Sequence, residues 1–135
     1  METVFVVYGE PQGKARPRFT RTGMTYTPKK TVDYEREIRA AFQLADGAIT
    51  ESPVSVSITA LYKIPKSASK AKEQKMLSDE LLPCKKPDLD NIAKCVCDAL
   101  NGVAYKDDAQ VCSLYVKKRY SKEPCIIVSI KEVIK

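Results

Sequence analysis

The chain contains no histidine and no tryptophan among its 135 residues. Without an imidazole there is no Ser-His-Asp triad, no Cys-His pair and no histidine-bearing metal centre. Any chemistry has to run through carboxylates, lysines and arginines. No apolar run approaches the roughly 18 residues that a membrane-crossing helix needs. The opening Met1-Glu2-Thr3-Val4-Phe5-Val6-Val7 lacks the basic start of a secretory leader, so a soluble, cytoplasmic protein is expected. The five cysteines (84, 95, 97, 112 and 125) are odd in number and show no CxxC spacing. On a helix Cys95 and Cys97 would point about 200° apart, too far to share an ion. They read as buried free thiols in a reducing compartment.

Acid is missing from residues 14–30, which hold Lys14, Arg16, Arg18, Arg21, Lys29 and Lys30. The alternation of Lys14, Arg16 and Arg18 would place all three charges on one side of an extended segment, a cationic ribbon suited to a phosphate backbone. Over the whole chain 23 Lys and Arg face 17 Asp and Glu, a formal charge of +6. The length is that of one domain, residues 1–135. A chain this short leaves much apolar surface exposed, which favours dimerisation.

Thr3 to Tyr8 is β-branched and aromatic and reads as a strand. Phe19 to Thr27, with Thr-Gly at its middle, reads as a small hairpin. Thr27-Pro28 starts a helix in which Tyr34, Ile38, Ala41, Phe42 and Ala45 share a face, and Asp46-Gly47 stops it. From Val54 to Tyr62 apolar and polar residues alternate as in a half-buried strand. Residues 66–80 are lysine-rich with a weak apolar face, an exposed helix or a segment that a ligand orders. Two strands close the chain, roughly Gln110 to Tyr120 and Pro124 to Ile134, with Ser121-Lys122-Glu123 as the turn. The expected class is α+β: a mixed, mainly antiparallel sheet with two to three helices on one face.

The densest chemistry lies in Lys86-Pro87-Asp88-Leu89-Asp90-Asn91-Ile92-Ala93-Lys94 and in Asp107-Asp108 beyond it. At about 100° per residue Leu89, Ile92, Ala93, Val96 and Leu100 form an apolar stripe, and Asp90, Lys94 and Asp98 stack on the opposite face. Inside that helix Asp88 and Asp90 would point apart. They converge only if Asp88 sits at the junction of an extended segment with the first turn, and Pro87 favours an extended residue before it. Read alone, Asp88 is an N-cap and Asp90–Lys94 an ordinary i, i+4 pair. An EF-hand is ruled out, because Ala93 occupies the position that needs Gly and no acid closes the loop. Asp107-Asp108 tips the balance. One of the pair, from a second element, would add a third carboxylate for a hard divalent cation of the kind used in phosphate chemistry.

These residues resemble a known family. Pro87-Asp88-Leu89-Asp90-Asn91, Lys94, Asp98-Ala99-Leu100-Asn101-Gly102 and Asp107-Asp108-Ala109-Gln110-Val111 are similar to the signature of RusA-type Holliday-junction resolvases. The opening Gly9-Glu10-Pro11-Gln12-Gly13-Lys14-Ala15-Arg16-Pro17-Arg18-Phe19 resembles the family's basic N-terminal segment. The resemblance implies an intimate homodimer, dependent on Mg²⁺ with Mn²⁺ tolerated, that nicks four-way DNA junctions symmetrically in recombination and repair. It implies Asp88, Asp90 and Asp108 as metal ligands, with Asp107 as the reserve, and Lys94 as the essential lysine. Where some members carry a basic residue before the first Asp, this chain has Pro87 with Lys85 and Lys86 upstream.

The expected DNA contacts are Lys14, Arg16, Arg18, Lys85 and Lys86, with the lysines of residues 63–75 along the backbone. No membrane and no small-molecule substrate are expected. The rival readings are a basic nucleic-acid-binding protein that does not cut, and a metal-dependent nuclease for another branched substrate.

Overall fold

The computed structural model describes residues 1–133. Along them run β1 (Glu2–Tyr8), β2 (Arg18–Phe19), β3 (Thr25–Tyr26), α1 (Lys29–Leu44), β4 (Val54–Lys63), α2 (Lys70–Leu77), α3 (Leu89–Leu100), a 3₁₀ turn (Asp108–Gln110), β5 (Val111–Ser121) and β6 (Cys125–Glu132). The expected class holds. A four-stranded sheet in the order β1-β6-β4-β5 is antiparallel except between β4 and β5, and β2 and β3 make the small hairpin.

The alternation in β4 is realised residue by residue: Val54, Val56, Ile58, Ala60 and Tyr62 are buried, and Ser55, Ser57, Thr59 and Leu61 are half-buried. With Phe5 and Val7 of β1 and Ile126, Val128 and Ile130 of β6 they form one apolar cluster under Tyr34, Ile38 and Phe42 of α1 and the buried side of α3. Phe5 and Phe42 meet edge to face, ring centroids 6.0 Å apart.

The last two strands depart from expectation. Only Lys122, Glu123 and Pro124 separate β5 from β6, yet the two do not pair, because β4 lies between them and bonds to both. Gln110 is drawn into the 3₁₀ turn, and Ile134 lies outside the described residues. Residues 70–77 form a helix whose N-cap Ser69 accepts from the Lys72 amide at 3.2 Å, and Arg119 holds Asp79 just beyond it at 2.9 Å. On α3 the buried side is wider than the expected stripe. It adds Cys95 and Ala99, because the helix packs against both α1 and the sheet, whereas Leu89 in the first turn is exposed.

Of the cysteines, Cys95 and Cys125 are buried and Cys97 is half-buried, as expected of apolar thiols. Cys84, in the segment before α3, and Cys112, on the edge strand, are exposed instead. No described helix is long and apolar enough to cross a membrane.

The end of α1 inverts the usual division of labour. Asp46, not Gly47, takes the left-handed conformation (φ 61°). Gly47 is required because a Cβ there would collide with the Phe42 ring, while its amide bonds Phe42 O at 3.0 Å. Gly47→Ala should therefore cost about 1–3 kcal/mol in urea denaturation, the range for forcing an extra methyl into a packed core. Asp46→Gly, which relieves a left-handed Asp, should not destabilise.

Candidate active site at the start of the third helix

The junction expected at Asp88 is present. Asp88 is the N-cap of α3 with extended backbone (φ −70°, ψ 154°), and Asp90 lies exposed in the first turn. An N-cap aspartate normally accepts a bond from the second or third amide of its helix, but the Asp88 side chain makes none. Its Oδ2 instead takes the Lys86 ammonium at 2.8 Å. That bond, with the charges of Lys86 and Lys118 and against slight desolvation, holds the Asp88 carboxyl below the usual carboxylate range.

Tyr62, at the far end of β4, sets the position of this junction. Its hydroxyl donates to the Pro87 carbonyl at 2.8 Å. The ammonium groups of Lys85 and Lys118 stand 5.8 and 5.4 Å from its ring centroid, and Lys118 also donates to the Lys85 carbonyl at 2.7 Å. Burial first, then the charges of Asp88 and Glu10, push the phenol from 10.0 up to about 12. The carboxylate of Asp88 thus feels the charges of Lys86 and Lys118, with Lys85 over the neighbouring Tyr62 ring. Lys118 is the one that reading the sequence missed. It pairs with Ala60 in the β4–β5 register, on the face that carries Val116 and Tyr120, and a lysine in that row was the available signal.

The basic segment crosses in front of α3. The Lys14 amide donates to Asn91 O at 3.2 Å and the Ala15 amide to Thr31 Oγ1 at 3.3 Å. A Cβ on Gly13 would come within 3.0 Å of both Pro87 and Asn91, so the bare backbone permits this approach. The expected one-sided ribbon does not form, because residues 11–17 adopt irregular backbone and Lys14 turns inward to Glu35. Arg16 and Arg18 stay exposed. Between this segment, α1 and α3 lies a cleft of about 420 Å³ whose lining includes Arg18, Lys30, Lys86, Pro87 and Asn91.

The second acidic element is a turn, not a strand end. Asp107 caps it: its Oδ1 accepts from the Ala109 amide at 3.3 Å, and Gln110 returns bonds from the Lys106 and Asp107 amides at 2.8 and 3.1 Å. Asp107 is therefore occupied structurally, and Asp108 is left outside the capping box. A hydrogen bond with Asp107, slight desolvation, and the charges of Asp107 and Asp98 hold the Asp108 carboxyl above its ordinary value, with Lys94 opposing.

Asp108 thus lies within the field of two charges on the polar side of α3, Lys94 and Asp98, which are 3.3 Å apart. Asp88 and Asp98 are ten residues apart, about 15 Å along the helix, with Asp90 and Lys94 between them. Among the described residues no three carboxylates or thiols are gathered as a ligand set. The donor chemistry nevertheless suits a hard divalent cation: oxygen only, with Asp88 not spent on capping and Asp108 beside the negative charges of Asp107 and Asp98, which Lys94 offsets in part.

The model of the family described as endodeoxyribonuclease RusA matches residues 8–131, which include every one of these residues. The chain belongs to that family of endodeoxyribonucleases. It is also 41% identical over 135 residues to YqaN of Bacillus subtilis (strain 168), an uncharacterized protein, with 96% of this chain and 95% of that one covered.

Tyr62→Phe removes the bond to Pro87 and should lower stability by about 1 kcal/mol in chemical denaturation. Because the folded phenol titrates above its ordinary 10.0, at about 12, the neutral form's contribution is complete below pH 10 and disappears as pH rises toward 12. The gap between the two proteins should be constant below pH 10 and close above it.

Proposed function

We propose that the protein is a homodimeric, Mg²⁺-dependent endonuclease that resolves four-way DNA junctions by paired, symmetric nicks in the cytoplasm, during recombination and repair. The observation that carries this reading is a carboxylate left free of capping at the start of α3, beside a cleft lined by Arg18, Lys30 and Lys86. Membership of an endodeoxyribonuclease family supports it.

In this reading Asp88, Asp90 and Asp108 would hold the cation. The engagement of Asp107 Oδ1 in the cap and the negative charge around Asp108 support Asp108 as the ligand, with Asp107 as the reserve. A bound divalent ion lowers the pKa of its water and neutralises charge on the phosphodiester. The rest falls to the chain's own residues. Lys94, exposed on the same helix face as Asp90, offers its ammonium to the phosphate that gains charge in the transition state. Arg18, Lys30, Lys86 and Lys118 neutralise backbone phosphates and orient the strand, contacts that position DNA without reading its sequence. Paired nicks across a junction need two sites related by two-fold symmetry, which an isologous dimer supplies.

The test is incubation of the purified protein with a labelled four-way junction and a matched linear duplex, with Mg²⁺, with Mn²⁺ and with EDTA. Symmetric nicks in the junction alone, lost with EDTA, are expected. Junction binding without any nick would sink the nuclease reading, and equal cutting of the duplex would sink junction specificity. Asp90→Asn should lower cleavage by more than the roughly 100-fold typical of losing a partner outside the ligand shell. Junction binding should be unchanged or tighter, since one repulsive charge toward DNA is gone. Arg18→Ala should weaken junction binding and flatten its logarithmic salt dependence by about 1, measured by titration at several salt concentrations.

A further inference from the structure

Glu35 has no part in the cleft, yet it is a carboxylate on the packed side of α1, beside Tyr34 and one turn before Ile38, with its side chain 12% exposed. A charge at that depth requires a partner. The Lys14 ammonium supplies it at 3.0 Å from Oε2, reaching in from the segment ahead of β2. The same ammonium lies 3.4 Å from Asp98 Oδ2, and Lys94 lies 3.3 Å from that same oxygen. The charges therefore alternate, Glu35–Lys14–Asp98–Lys94, across three separate parts of the fold. Exposure rises along the row, from 12% at Glu35 through 20% and 25% to 63% at Lys94.

An isolated i, i+4 pair such as Lys94–Asp98 holds a long side chain only weakly. Here Asp98 is itself fixed from behind, because two ammonium groups share one of its oxygens. Glu35 decides how that sharing is divided. By neutralising Lys14 from the far side, it leaves Asp98 free to hold Lys94. Without it, Lys14 would bring its whole charge to Asp98 and weaken the hold on Lys94. For the Lys14 ammonium, burial works against the charged form, but the bond to Glu35 and the charges of Glu35 and Asp98 outweigh it, and its pKa stands above the ordinary lysine value.

We propose that Glu35, Lys14 and Asp98 are positioning residues that fix the ammonium of Lys94 over the reacting phosphate. This rests on the reading of Lys94 given above, and it moves Lys14 from the DNA-contacting set to the supporting one. Lys14 lines the cleft, but its ammonium is turned to Glu35 and Asp98. The three act through Lys94.

The first arm of the test needs neither DNA nor metal. Acetylation of each lysine in the folded protein is followed by mass spectrometry in the parent protein, Asp98→Asn and Glu35→Gln. Freeing Lys94 should speed its labelling about two- to fivefold in both variants, with Lys30 unchanged. An unchanged Lys94 rate in both, in proteins that keep their thermal midpoint, would overturn the proposal. If Glu35→Gln does not fold, Asp98→Asn alone decides, since Asp98 lies nearer the surface.

The second arm is single-turnover cleavage of the four-way junction. Asp98→Asn should slow it about tenfold with junction affinity unchanged, and Asp98→Glu should restore part of the rate. Added to Lys94→Ala, Asp98→Asn should cost nothing further, and an equal further loss would mark an independent structural role and refute the positioning role. If the parent protein cuts no junction, the proposed function fails, while the labelling arm still decides whether these residues hold Lys94.

Discussion

The parallel pairing of β4 with β5 governs this structure. Two parallel neighbours cannot be joined by a tight turn, so the chain leaving Lys63 has to cross the sheet before it can start β5 at Val111. That crossover carries α2 and α3. It lays α3 against α1 and the sheet, with its start beside Tyr62 at one end of β4 and its finish near Tyr105, whose hydroxyl bonds Cys97 O at 2.7 Å. The 3₁₀ turn then docks at the opposite end of β4, where Gln110 donates to Thr50 O and Ser52 O at 2.9 Å each. The polar side of α3 is thus flanked along its length by groups brought to the two ends of one strand.

Chemically the result is a row of opposed charges in a chain with no imidazole. Asp88 feels Lys86 and Lys118 at the start of α3, and Asp108 feels Asp107, Asp98 and Lys94 further along. A carboxylate whose neighbours are lysines and one whose neighbours are carboxylates differ in how readily they accept a proton. The first is held ionised, and the second takes up a proton more readily than an isolated carboxylate. Both conditions suit an endodeoxyribonuclease family whose substrate is a polyanion.

Much of the fold could be read in advance because it is periodic. The alternation of Val54 to Tyr62, the 3-and-4 rhythm from Tyr34, and the segregation of Asp90, Lys94 and Asp98 from Ile92 and Val96 all survive in the structure. What could not be read depends on partners distant in sequence. Nothing near Lys14 announces that Glu35 is buried and will draw it inward. The separation of β5 from β6 follows from where β4 sits, and Leu89 stays exposed although Ile92 in the same turn is fully buried. The split between Asp107 and Asp108 was expected from strand alternation, whereas a capping box with Gln110 makes it. Local spacing singled out the candidate residues, and tertiary packing assigned their neighbours.

The outermost strand has a consequence for when the site can exist. Among the described residues β1 joins the sheet only through β6, pairing from Glu2 with Lys131 to Tyr8 with Cys125, and the Gly9 amide bonds Pro124 O at 3.0 Å. The segment that follows Gly9, which walls the cleft and carries Lys14, is therefore anchored by residues more than a hundred positions downstream. Such a contact has the largest loop to close and is late on entropic grounds. A chain still being synthesised holds its carboxylates and its lysines but no cleft to put them in, and DNA meets a finished site only after the last strand has closed the sheet.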